Sequence, residues 1–560
     1  MNAPDYITLI LYVAGIFVIS TLSAKRTTNH KDMFAAGRRS PWWASGLSAF
    51  MTMFSAGTFV VWGGIAYELG LVAVMINTCY GVAALLAGYF VAGHWNRLGV
   101  STPAEYVNLR FGKTGLHFFT WTMLVKRILG VSVSLYALAV MLVALVPVNL
   151  NLAIILFGGI VILYTMQGGL WAVLMTDVLQ FIVLTVVVLM VALLMMAGIT
   201  MDEFVTRVPE NFLKPVAGNY GWFFLAGWTT IHFFMIGAEW AFVQRFLSVK
   251  NPAEAAKSTY LFGIMYLVTP LFWLLPPLLY RGIVEGVNKE QAYILAAQSV
   301  LPKGVLGLMV AAMFSATASM VSSQLNVFAG VLTNDFYRPF LNPAADERKL
   351  VTTGRFFTVL LGSLLVITAI LVPHLGGAEK VIISINSLLV VPLFAPTLWG
   401  LFSRKIGIRE MIIVALTSFS IGLFLRFGLA SNPAIEQGDS LWIVAEFLRE
   451  NSRNVEVIVG VLLPIVMLVF FEMRSRKIDD GAIRLDTQTA EMKAQIELDS
   501  QDRPFDPFPA RMVMFSLLVI GAWLVILGIY GGDNTAILYS FGAVLLLVSG
   551  LIEILVRRKL

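Results

Sequence analysis

Apolar runs of about twenty residues, recurring along nearly the whole chain, constrain this sequence more than any other feature. A helix needs roughly 20 residues to cross a bilayer, and in hydrocarbon unpaired backbone groups rule out any spanning structure except helices and closed barrels. Charged residues make up 13% of the chain and hydrophobic ones 58%, whereas soluble globular proteins carry roughly 25% charge. Lipid is therefore the main solvent, and the chain reads as an all-α integral membrane protein. Its one cysteine, Cys79, falls inside an apolar run, which leaves no disulfide framework and no Cys-based metal cluster.

The runs give fifteen candidate spans, beginning near residues 6, 42, 70, 116, 151, 173, 221, 258, 304, 352, 380, 411, 454, 512 and 535. With the N-terminus outside and the C-terminus inside, 28 of the 39 Lys and Arg residues fall in inside loops and 9 on the opposite side; the other two, Lys126 and Arg127, lie within a span. That bias follows the tendency of basic residues to stay cytoplasmic, and it accounts for the net charge of +6 without nucleic acid. Met1 to Tyr6 carries no positive charge while Lys25 and Arg26 follow the first run, the reverse of a cleavable signal, so the first segment reads as a retained helix.

One continuous transmembrane domain over 1–560 is expected: a first helix and loop (1–41), two helical blocks (42–199 and 221–402), flanking helices (403–471), a polar loop (472–511) and two last helices (512–560). The polar loop alternates acids and bases, the pattern of a solvated cytoplasmic linker with a short surface helix; a regulatory or docking role is the other reading.

Two spans are not plain apolar cylinders. The second reads Ser48-Ala-Phe-Met-Thr-Met-Phe-Ser-Ala-Gly-Thr58 and then Gly63-Gly64; the seventh reads Gly227-Trp-Thr-Thr-Ile-His232 and runs on to Glu239. They head two five-helix blocks, and an odd number of spans per block makes the blocks inverted relative to one another. Interrupted helices at matching positions of inverted halves point to a midplane binding site; close helix packing through small residues is the plainer explanation.

Several motifs resemble the sodium/solute symporter family. They are Gln167-Gly-Gly-Leu-Trp-Ala-Val-Leu-Met-Thr-Asp177-Val-Leu-Gln180, Gln244-Arg245 with Lys250 and Glu254-Ala255, and the small-residue run from Ala311 through Ser319, Gln324 and Asn326 to Asp335-Phe-Tyr337. Pro41-Trp42-Trp43 and Gly400-Leu-Phe-Ser-Arg-Lys405 add weaker matches. The resemblance implies a leucine-transporter-type fold, five plus five inverted helices with flanking ones, and a multi-pass protein of the cell membrane. It implies solute uptake driven by sodium through alternating access, and no enzyme chemistry. Expected partners are a small solute, sodium or a proton, and the lipid bilayer, with no cofactor beyond the coupling ion, no nucleic acid and no obligate protein partner.

Carried over residue by residue, the family's cation site places carbonyls on Met51, Phe54 and Ala316 and a hydroxyl on Ser319. The second family hydroxyl falls on Met320, a thioether and a poor ligand for a hard cation. Three readings stand open: a site one hydroxyl short and helped by Thr317, Ser322 or Ser55; a proton, or a cation bound elsewhere; or uncoupled transport. Asp177 matches an acid linked in the family to cation exit, with helix-start capping as its plainer role.

For the solute, the resemblance points to Thr58, Trp62, Asn77, His232, Met235 and Tyr266, with Ser384 or Asn386 on the eleventh span. Lys126 and Arg127 stand out independently, because charge inside a span is costly unless paired or facing water. Either they snorkel to the surface, or Arg127 receives an anionic group such as a carboxylate. His232 reads as a buried neutral ring, a solute contact or a proton carrier with Glu239, and Glu239 has Lys126, Arg127 and Arg245 as candidate partners. Scattered histidines argue against a membrane enzyme, and no repeated ring of charges suggests a channel. A transporter-like membrane sensor remains the alternative of another class.

Overall fold

The computed structural model describes residues 2–24, 38, 40–100, 102–165, 170–430, 441–499, 507–529 and 535–557. They form helices α1 Ala3–Ala24, α2 Trp42–Thr52, α3 Gly63–Leu69, α4 Leu71–Leu98, α5 Pro103–Leu145, α6 Leu150–Tyr164, α7 Leu170–Ala197 and α8 Met201–Arg207. Next come α9 Trp222–Ala238, α10 Trp240–Ser248, α11 Pro252–Ile283, α12 Ala292–Val300, α13 Val305–Val331, α14 Glu347–Leu371 and α15 Gly377–Phe402. The chain continues through α16 Ile408–Leu423, α17 Trp442–Glu450, α18 Ser452–Arg474, α19 Asp480–Asp499, α20 Phe508–Gly528 and α21 Thr535–Arg557. Among the described residues eleven helices are long and apolar enough to cross a membrane, and Ala3–Gly15, Leu150–Leu163 and Trp222–Ala238 are shorter apolar helices.

Helix starts are written locally in the sequence. Thr102-Pro-Ala-Glu105 and Asn251-Pro-Ala-Glu254 each put an acceptor at the N-cap, proline at the first helical position and an acid in the first turn. The cap side chains accept from the Glu105 and Glu254 amides at 3.1 and 2.9 Å. Gly112, at φ 71°, bends α5 between a short segment carrying Arg110 and the long apolar run. Arg110 is fully buried; its guanidinium donates to the carbonyls of Gly400, Ser403 and Ile406 and pairs with Asp479. That contact pins the loop ahead of α19, the helix inside the polar stretch expected to hold one, and α19 lies along α5.

The second span is broken. The α2 helix stops at Thr52, Phe54 and Ser55 are non-helical, and helix resumes at Ala56 and runs through a wide π-turn at Thr58–Trp62 into α3. Orphaned amides at the break find hydroxyls: Ala56 donates to Thr317 Oγ1 of α13 at 3.0 Å, Ser55 to Thr58 Oγ1 at 3.2 Å and Gly57 to Ser55 Oγ at 3.2 Å. Such substitution is what allows irregular backbone inside a membrane protein. The seventh span breaks at a single residue: Glu239, extended at φ −69° and ψ 131°, ends α9 and begins α10.

Around these breaks α2 packs on α7 and α11, α9 on α4, and α13 on α1 and α7. Gly46 permits the α2–α11 approach, since a Cβ there would lie 2.6 Å from the Ser258 carbonyl oxygen.

Candidate functional site

Two neighbouring cavities meet at the breaks. The larger, about 120 Å³, lies between the α2–α3 break, α4, α5, the α9–α10 junction, α11, α13 and α15. Since one water needs on the order of 10–15 Å³ of such space, it has room for a small solute or a cluster of waters. The smaller, about 60 Å³, lies beside α7, α10 and α13. Thr52, Lys126, Arg127, Glu239 and Met320 line both and form the wall between them.

The sequence-expected solute positions divide. Thr58, Trp62, Arg127, Met235, Tyr266 and Asn386 all line the larger cavity. Asn77 and His232 do not: Asn77 is fully buried, its Nδ2 donating to the Ala73 carbonyl at 2.9 Å. His232 is fully buried with Nδ1 donating to the Trp228 carbonyl at 2.8 Å, and its ring packs 3.8 Å from that of Tyr80. Tyr80 itself faces the cavity, so His232 supports the wall one layer back. Ser384 points elsewhere, donating to Glu456 Oε1 at 2.7 Å. Tyr80 and Ser134 line the cavity without having been singled out in the sequence; Tyr80 is three residues beyond Asn77 and Ser134 seven beyond Arg127, spacings that keep them near those positions on one helix face.

For the cation positions, Met51, Ala316, Ser319, Met320 and Asp177 line the smaller cavity together. Phe54 is buried in an aromatic pile against Phe50, Phe59 and Trp273, with centroids 5.6, 5.3 and 4.6 Å away. Two of the three helper hydroxyls are engaged: Thr317 holds Ala56 and donates to the Met313 carbonyl at 2.8 Å, and Ser55 donates to Ser134 at 3.1 Å. Asp177 is the eighth residue of α7 as described and is buried, which excludes a helix-start cap. Its Oδ2 accepts from Ser48 Oγ of α2 at 2.6 Å, and Ser48 accepts from Arg245 Nε and Nη2 at 3.2 Å each, so α2, α7 and α10 are tied by one polar node.

Neither basic residue of α5 snorkels. Lys126 Nζ reaches Glu239 Oε2 at 3.3 Å and stands over the Phe394 ring at 5.4 Å, while Arg127 forms an ion pair with Glu239 Oε1. Of the three candidate partners for Glu239, these two are taken, and Arg245 belongs to Asp177.

On the face carrying Glu68, Tyr220 and Lys289, polar contacts tie together α3, α5, the turn before α12 and α15, and that turn and α15 both pack on the Thr58–Trp62 π-turn beside the larger cavity. Lys289, in the short turn Lys289–Gln291, bridges Glu68 of α3 at 2.5 Å and Glu379 of α15 at 2.8 Å. Tyr220 donates to Glu379 at 2.5 Å, and Glu290 accepts from Tyr136 of α5 at 2.5 Å and from the Ala378 amide at 2.8 Å. Although burial works against its charge, the contacts to Glu379 and Glu68 hold the Lys289 ammonium above the usual lysine pKa.

Comparison with known proteins agrees with this geometry. The Sodium:solute symporter family model matches residues 33–410. A sodium/glucose cotransporter of Vibrio parahaemolyticus is 27% identical over 481 residues, covering 77% of this chain and 87% of that one. A sodium/sialic acid symporter of Aliivibrio fischeri is 26% identical over 453 residues, covering 75% and 87%. Among solved structures, a substrate-bound outward-open Na+-coupled sialic acid symporter superposes with a TM-score of 0.63 at 20% identity, covering 83% of this chain and 98% of that one. The inward-facing form of Mhp1 gives 0.51 at 17%, covering 80% and 95%, so the fold is that of these transporters. Broken helices, a cavity at the breaks and a match over most of the length converge, and the chain belongs to the sodium:solute symporter family, whose members are transporters and not enzymes.

Proposed function

We propose that this protein is a secondary active symporter that carries a small organic carboxylate together with sodium across the cell membrane by alternating access. One observation carries the anionic part. In the larger cavity two cationic side chains, Lys126 and Arg127, face a single carboxylate, that of Glu239. Buried charge without a partner is costly, so this cavity favours an occupant that brings a negative charge. Arg127 offers the planar fork that takes a carboxylate in two contacts, and Thr58, Ser134 and Asn386 supply neutral polar groups around it. The relative named for sialic acid carries a carboxylate, which agrees with this choice.

In this reading the two blocks, 42–199 and 221–402, are inverted repeats within one domain, and the chain crosses the membrane fifteen times with its N-terminus outside. Sodium sits beside Met51, Phe54, Ala316 and Ser319, with Asp177 on its exit side. Met320, where a hydroxyl would serve, favours a second reading in which protons drive uptake.

The test is thermal stabilisation of purified protein by acetate, pyruvate, L-lactate, N-acetylneuraminate, glucose and myo-inositol, each in sodium and in potassium at equal ionic strength. An anion should stabilise in sodium and not in potassium. Arg127→Gln should weaken it by about 2 kcal/mol or more, roughly thirtyfold in Kd. Stabilisation by neutral sugars alone would overturn the anionic reading, and an anion indifferent to sodium would move coupling to the proton.

A further inference from the structure

The carboxylate of Glu239 occupies a singular place. It is 4% exposed, it lines both cavities, and it is carried by the one extended residue that joins α9 to α10, its carbonyl accepting from the amides of Phe242 and Val243 at 3.0 Å. Both cations of the larger cavity end on it, yet Arg127 keeps 17% of its side chain exposed while Lys126 keeps 6%. Two cations for one acid is an arrangement with a position to spare, and the spare edge belongs to Arg127.

Resting on the anionic reading above, we propose that Glu239 is an internal competitor for the solute: in the empty protein it holds the site on Arg127 that the solute carboxylate takes, and the solute displaces it onto Lys126 alone. The occupied cavity then contains two cations and two carboxylates, each cation with its own partner. The empty cavity keeps its charges shared through Glu239, so the carrier can change conformation without a solute. Because Glu239 is also the hinge residue between α9 and α10 and part of the wall between the cavities, its displacement moves the element that separates the solute from the Asp177 side. A ligand shifts a conformational equilibrium only by its differential contacts with the two states, and exchange of partner on Arg127 supplies that difference.

The inference predicts an unusual variant. Removing the competitor in Glu239→Gln leaves Arg127 free for the solute, so binding should tighten, on the order of tenfold in Kd. The unliganded variant should melt earlier than wild type, since a buried cation loses its partner, and the carboxylate should restore more stability to it than to wild type. Return of the empty carrier should be impaired, so net uptake into proteoliposomes should fall while exchange of internal for external solute persists. Glu239→Asp, which keeps the charge and withdraws it by one methylene, should lie between the two and covers the case in which Glu239→Gln does not fold.

The experiment measures Kd, melting temperature, net uptake and exchange for wild type and both variants, using whichever of acetate, pyruvate, L-lactate or N-acetylneuraminate stabilises wild type most. Tighter binding with exchange spared supports the proposal. Equal or weaker binding by the variants, with wild type responding to the anion, overturns it alone. No response to any of the four anions by wild type or by either variant overturns the anionic reading and this inference with it.

Discussion

Replacing Lys289 by Gln cuts both ion pairs that tie α3 and α15 to the turn before α12, beside the larger cavity. Lys289 joins three elements, the second half of the broken span through Glu68, the turn before α12, and the start of α15 through Glu379. The pair with Glu68 is 38% and 51% exposed and belongs with surface bridges, worth about 0–1 kcal/mol; the pair with Glu379, at 38% and 17%, falls at the upper end of that range. Together they contribute roughly 1–2 kcal/mol to the state in which these elements are joined, a factor of about 5–30 in the ratio of parted (open) to joined (closed) elements. A cysteine at Val61, which lines the cavity, reports this once the buried Cys79 is replaced by Ala. Its reaction with a membrane-impermeant thiol reagent should quicken about 5–30-fold in Lys289→Gln. The wild-type rate should rise between 0.15 and 1 M salt, as the Debye length shrinks from about 8 to about 3 Å, and the variant should lose that dependence. The lysine pKa is raised in the closed state, so its contribution is complete below the ordinary lysine pKa and disappears as pH rises through the raised value. Opening at strongly alkaline pH should therefore occur in wild type beyond what the variant shows. Equal labelling of the two proteins at every salt and pH would refute the reasoning.

Two further predictions concern the cation side. Thr317→Val keeps the shape of the side chain but orphans the Ala56 amide, which should cost about 1–3 kcal/mol, lowering the melting temperature and weakening sodium activation; Thr317→Ser should stay close to wild type in both assays. Met320→Ser adds a second hydroxyl beside Ser319, and the sodium concentration for half-maximal uptake should fall about tenfold, equivalent to about 1.4 kcal/mol; an unchanged value would remove this site from the coupling mechanism.

Much of the site was legible before the fold. Glycines and hydroxyls clustered inside apolar runs marked both broken spans, because such residues release the helix and then bind its freed amides locally. The resemblance pointed to Ser319 and Asp177, which line the smaller cavity, and to Met235, which lines the larger. Partnership was not legible. The resemblance put the cation hydroxyl on Ser319 with Thr317 among the helpers, and the approach of α13 to the α2 break turns Thr317 to Ala56 and leaves Ser319 on the cavity. His232 takes the buried-ring role among its three readings, and Tyr80, not singled out in the sequence, takes the place on the cavity, since whichever ring lies nearer the cavity depends on how α9 leans on α4.

The sequence by itself determined that lipid is the solvent, that the chain is helical, where two helices break, and that charge is retained within one span, because these follow from local composition and the cost of an unpaired amide or ion in hydrocarbon. Tertiary structure alone decided what those buried charges do. Lys126, Arg127 and Glu239 are over a hundred positions apart in the chain at their widest, and no local rule distinguishes snorkelling from pairing. Packing of α5 against the α9–α10 junction brings two cations to one carboxylate, since a charge inside the membrane is stable only where another element supplies its partner.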